Sequence, residues 1–95
     1  MDRRDREAIE RELREASERL TDRKRAEALA RESDRIVSMI LSGEFEKVDI
    51  EIAARRLRRT VAEEVPGKAE LFDMVYAGRF RRIWEQFGEG GELRI

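Results

Sequence analysis

Acid and base chemistry in this 95-residue chain falls to carboxylates and arginines, because it contains no histidine and no cysteine. The hydroxyls of Ser17, Thr21, Ser33, Ser38, Ser42 and Thr60 therefore lack an imidazole base, and a nucleophile with its usual partner cannot be assembled. Two groups of acids are dense enough for paired general acid and base work or for a hard cation: Glu63 with Glu64, and Glu44, Glu46, Asp49 and Glu51. Most acids of the chain are interspersed with arginines on polar faces, and the second group lacks the D-x-[DN]-x-[DN]-G loop of a calcium hand. The acids are read as solvated surface. No catalytic residue, cofactor ligand or metal ligand is assigned, no small-molecule substrate is implied, and the chain is expected not to be an enzyme.

The bases are more concentrated. Arg55, Arg56, Arg58 and Arg59 stand together as RRLRR, and Arg79, Arg81 and Arg82 surround an aromatic as RFRR. Arginine forks match phosphate geometry, so these residues are the candidate phosphate contacts of a nucleic-acid binder. Against that reading, Lys plus Arg (21) and Asp plus Glu (22) nearly cancel, and acids are interspersed throughout. Charged rims around a helical core come first, nucleic-acid binding second, and a grip on an acidic protein third.

These residues must be carried by helices. From Asp2 to Leu41 there is no glycine or proline, and Ala, Glu, Arg and Leu predominate. Glu7 to Arg11, Glu10 to Arg14, Glu15 to Arg19 and Glu27 to Arg31 each set an acid four residues before a base, which supports a helix surface by about 0.2–0.5 kcal/mol per pair. Ile9, Leu13, Ala16 and Leu20 recur at coiled-coil spacing and draw one narrow stripe. Beyond it the apolar residues shift to Ala26, Leu29, Ala30, Ile36, Val37, Ile40 and Leu41. Thr21 with Asp22 has the chemistry of a helix cap, so one helix or two fits residues 2–41.

Ser42 and Gly43 mark a helix stop. A second helix is expected from about Ile50 to Glu64, with Asp49 as its cap and Ile50, Ala53, Ala54, Leu57, Val61 and Val65 on one face. Pro66 and Gly67 place a connector at Val65 to Lys68. A last helix then aligns Leu71, Phe72, Val75, Tyr76, Phe80, Ile83, Trp84 and Phe87, and GEGGELRI reads as a mobile tail. Residues 39–48 and 74–83 share the pattern M-[IV]-x-[SA]-G-x-F-x-[KR]-[VI], thirty-five residues apart. This small-Gly-x-Phe turn is similar to the one between the helices of a tetratricopeptide repeat. Ile36 and Leu71 stand where that family has glycine, and Arg55 where it has alanine.

The chain is thus expected to be all-α: a long charged N-terminal helix followed by a small bundle of two or three shorter helices. Residues 1–35 form the arm, 36–88 the core and 89–95 the tail. All the aromatics lie between Phe45 and Phe87, so burial is concentrated toward the C-terminal part. Without cysteines no disulfide framework is available, and a reducing cytoplasm is the expected compartment. The N-terminus has no apolar stretch, and no window approaches the roughly twenty apolar residues that a spanning helix needs, so neither export nor membrane insertion is expected. Absence of asparagine, a single glutamine and an abundance of ion-pairing groups point to a heat-adapted or GC-rich source. The expected role is protein–protein interaction through a homodimer or another helical protein. Ile9, Leu13, Leu20, Tyr76 and Trp84 would form the interface and rim arginines would select the partner.

Overall fold

A computed structural model describes residues 2–64, 70 and 72–95. The fold is all-α. Helix α1 spans Arg3–Ser42, α2 spans Lys47–Glu64, a π-helical segment spans Phe72–Ala77, and α3 follows directly as Gly78–Phe87. The α1 helix packs against α2 and α3, and the π-helical segment packs against α2 and α3. The connector expected at Val65 to Lys68, and the expected core positions Val65 and Leu71, lie outside the described residues.

One helix, without a break, covers the whole N-terminal stretch. Thr21 does not cap a second helix; its hydroxyl donates to the Ser17 carbonyl four residues back (2.9 Å), which satisfies the side chain inside a continuous helix. None of the four Glu-to-Arg pairs of the sequence closes. The ion pairs along α1 are instead Arg3 with Glu7, Arg25 with Asp22, and Arg35 with Glu32. Long solvated side chains gain little by settling into a single pairing, so propensity and backbone hydrogen bonds carry the arm.

The end of α1 is specified locally. Gly43 adopts the left-handed conformation (φ 69°), and its N–H donates to the Ile40 carbonyl. The Ser42 hydroxyl donates to the Met39 carbonyl (2.8 Å) and accepts the Glu44 N–H (3.2 Å). Helix α2 begins three residues earlier than expected. Asp49 is therefore not the residue before the helix but one inside its first turn, where its carboxylate accepts the Glu46 N–H (3.2 Å), the returning half of a capping box.

Burial starts at Leu29, seven residues before the expected boundary at 36, and continues through Ser33, Ile36, Met39 and Ile40. Ala26, Ala30 and Leu41, on the broader apolar face of the sequence, are exposed. From α2 come Ile50, Ala53, Ala54, Leu57 and Val61, as the helical period requires. The last segment departs from that period. A π-helix closes its hydrogen bonds one residue later than an α-helix, so the buried series runs Phe72, Ala77, Phe80, Trp84. This shift turns Val75 out to solvent and leaves Tyr76 half-buried against the Phe72 ring, 6.0 Å between centroids. Phe87, at the end of α3, is also exposed. Gly43 stops a helix whereas Gly78 opens one without a positive φ, so the two matching decapeptides do not form the same turn.

The tail packs rather than trails. Gly88 turns the chain over the Trp84 ring, the Trp84 indole N–H donates to the Gly91 carbonyl (3.1 Å), and Leu93 enters the core at 3% exposure. A β-carbon on Gly88 would lie 2.4 Å from the Trp84 ring, whereas one on Gly78 would meet open space. Gly88→Ala is therefore expected to destabilise the fold by about 1–3 kcal/mol through overpacking. Gly78→Ala is expected to stabilise it by up to about 1 kcal/mol by removing glycine's backbone freedom. Urea unfolding of the two variants, compared at equal slope, checks both signs.

Candidate functional site

At about 100° per residue, Ile9, Leu13, Ala16 and Leu20 centre roughly half a turn away from Leu29, Ile36 and Ile40. The stripe therefore points away from the side of α1 that enters the core. No residue from Asp2 to Lys24 is shielded, and Ile9, Leu13 and Leu20 are 43%, 66% and 51% exposed. Between Leu20 and Gly43 the same side of the helix carries Glu27, Arg31, Asp34 and Ser38, so the apolar stripe is confined to the arm.

The other two expected interface residues lie elsewhere. Trp84 is only 5% exposed, packed under Gly88 and bonded to Gly91, and is no surface anchor in this conformation. Tyr76 lies half-buried in the π-helical segment, where Met74 and Val75 are the exposed neighbours. Helical spacing carries no signal for the glycine-rich segment that returns and covers the indole.

The arginine clusters are largely drawn into the fold. Arg55 donates to the Arg94 carbonyl (3.1 Å) and lies 3.8 Å from Glu51, while Arg81 donates to the Ile95 carbonyl (3.0 Å). Arg58 pairs with Asp73 in the π-helical segment (3.4 Å). Arg79 reaches across to α1, donating to Asp34 (3.3 Å) and to the fully buried Ser33 hydroxyl (3.2 Å). That bond supplies the partner a buried hydroxyl needs. Among the described residues, Arg56, Arg59 and Arg82 form no ion pair and no side-chain hydrogen bond. Arg25, which sequence reasoning did not single out, donates to the Glu64 carbonyl (3.3 Å) at the C-terminal end of α2.

The acids are similarly dispersed. Glu44, Glu46, Asp49, Glu63 and Glu64 are exposed. The Glu51 side chain is half-sheltered and accepts the Arg94 N–H (3.1 Å), which makes it a support for the tail. Among the described residues, no group of three or more acids, histidines or cysteines is arranged to hold a metal ion. A shallow groove of about 420 Å³ runs between α1, the connecting loop and α2, lined by Arg35, Met39, Phe45, Asp49, Ile52, Ala53 and Arg56. No described helix is long and apolar enough to cross a membrane.

One carboxylate on the core side of α1 is electrostatically tuned. Hydrogen bonds from Arg35 hold the Glu32 carboxyl below its usual value, with partial burial opposing and the arginine's charge adding to the effect. The comparisons with protein-family models, curated proteins and solved structures produced no match to the chain.

A carboxylate with a depressed folded-state pKa contributes stability above its unfolded value, and that contribution is lost as pH falls through the folded value. Wild type is therefore expected to exceed Glu32→Gln in stability at pH 7, and the advantage is expected to vanish on acidification below the usual 4.5. Both partners are more than a third exposed, so the difference is a few tenths of a kcal/mol, about the size of an i,i+3 surface pair. Urea midpoints of the two proteins across that pH range measure it.

Proposed function

We propose that the chain is a non-catalytic protein–protein interaction module that pairs with a second copy through its N-terminal arm. The observation that supports this reading is the stripe of Ile9, Leu13, Ala16 and Leu20, exposed on a helix whose opposite side is committed to the core. Large apolar side chains at 3.5-residue spacing on a charged, solvated helix make a seam for another helix, and the flanking charges limit which helix fits. Trp84 drops out of the interface and Tyr76 is at most peripheral to it, so the contact reduces to the arm.

The reading predicts a particle of about twice the 11.2 kDa chain mass by light scattering at high protein concentration, at both low and high salt. Leu13→Glu is expected to return it to the monomer. The same substitution should leave the urea midpoint of the core within about 0.5 kcal/mol of wild type, because Leu13 touches nothing in the core. A particle that stays monomeric at every concentration counts against the reading.

Nucleic-acid binding remains a second reading because Arg56, Arg59 and Arg82 are left without internal partners among the described residues. It requires duplex affinity that falls steeply with salt, with a slope reduced by about one for each of these arginines replaced. Titration of a labelled duplex at two salt concentrations, with wild type and Arg56→Glu/Arg59→Glu, is expected to show neither effect if the arm is the functional surface.

A further inference from the structure

We propose that two copies pair arm to arm in antiparallel orientation, with the two-fold axis passing between residues 14 and 15; this rests on the homodimer reading above. In that register the stripe matches itself completely. Leu13 faces Ala16 of the second copy and Ile9 faces its Leu20, so every layer of the stripe contains at least one large aliphatic side chain. A parallel pairing would stack Ala16 on Ala16 and leave a thin layer between two leucine layers.

The flanking charges separate the two orientations. With Ile9 and Ala16 at one repeat position and Leu13 and Leu20 at the other, the side chains bordering the seam are Asp5, Glu12 and Arg19 on one edge and Arg3, Glu10, Ser17 and Lys24 on the other. A parallel pair brings one edge against the opposite edge of the next repeat, which sets Asp5 against Glu10 and Arg19 against Lys24. Both contacts are like-charged and each occurs twice. An antiparallel pair brings like edges together, which sets Glu12 against Arg19 of the second copy, twice, beside the central layers. Its like-charged contacts, Arg3 with Lys24, Arg6 with Arg23 and Asp2 with Glu27, fall toward the solvent-open ends, where screening is strongest.

The length of the free arm agrees with this register. Asp2 of one copy comes to lie opposite Glu27 of the other, just short of Leu29, where burial begins. At 1.5 Å per residue, Leu29 is about 22 Å from the axis, so the two cores lie at opposite ends of the paired arms. Among the described residues, each core packs on the side of α1 turned away from the seam.

The chain has no cysteine, so introduced thiols report the geometry directly. Full-length Ile9→Cys and Leu20→Cys, one of them extended by a tag to separate the masses, are oxidised alone and as a mixture equilibrated under reducing conditions. A Glu18→Cys variant, off the seam, measures collisional background. The antiparallel register predicts a mixed disulfide exceeding either self-disulfide by about tenfold, because identical positions are then about 16 Å apart along the helices. Efficient self-crosslinking of both variants means a parallel pair and overturns the proposal. A dimeric mass with no crosslink above the Glu18→Cys background also overturns it and moves the dimer contact to another face. A monomeric mass at every concentration overturns the proposal together with the homodimer reading.

Discussion

The rest of the architecture depends on the continuity of α1. A helix with no glycine or proline over Arg3–Leu41 holds its backbone hydrogen bonds throughout, and folding it into a hairpin would require breaking several of them without compensation. Its C-terminal third is anchored by Leu29, Ile36, Met39 and Ile40, while the N-terminal two-thirds must project in the direction that anchor dictates. The result is a body 67 Å long and only 24 by 17 Å across. The phase of the helix follows from the same constraint. Once Ile36 faces inward, Leu13 and Leu20 face outward, and the arm has no route to its own core.

The compact end is held chiefly by its apolar core, with polar contacts linking elements at its rim. Phe72, Phe80 and Trp84 supply large buried surfaces, each worth about 1.5–3 kcal/mol. Around them, arginines link elements distant in sequence: Arg79 of α3 to α1, Arg58 of α2 to the π-helical segment, and Arg55 and Arg81 to the returning tail. Arginine suits this role because its fork can satisfy a backbone carbonyl or two acceptors together while the charge remains partly hydrated. A run that reads as a phosphate-binding cluster thereby becomes, in large part, a set of fasteners. This assignment is invisible in composition, because the acceptors are main-chain carbonyls and acids on other elements.

Division of labour between the two ends gives the molecule its character. The compact end buries its chief aromatics by itself, with the tail covering the indole, and leaves bare Leu41, Ile52, Met74, Val75, Phe87 and the turn around Phe45 and Val48. The arm contributes nothing to that core, and apart from the short stripe it is charged. Apolar residues kept on a helix that does not need them for its own fold are the feature with which any account of this protein must begin.

Local physics was enough for the helical class, the helical character of the arm, the stop at Gly43 and the inward face of α2, because propensity, left-handed glycine and the 3.6-residue period act over a few neighbouring residues. Residues whose position depends on distant parts of the chain were not legible. The π-helical segment moves Val75 out of the core and brings Ala77 in, because its hydrogen bonds close one residue later than those of the α-period. The boundary at Leu29 is set by how far α2, whose Glu64 carbonyl meets Arg25, reaches along α1. Trp84, aromatic and near the end of the last helix, has the profile of a surface anchor until Gly88 allows the chain to pass over it and Gly91 accepts its N–H. The stripe was visible at once as a seam, but its freedom was decided by tertiary structure alone, because only the packing of Ile36 determines which way a rigid helix presents Leu13 and Leu20.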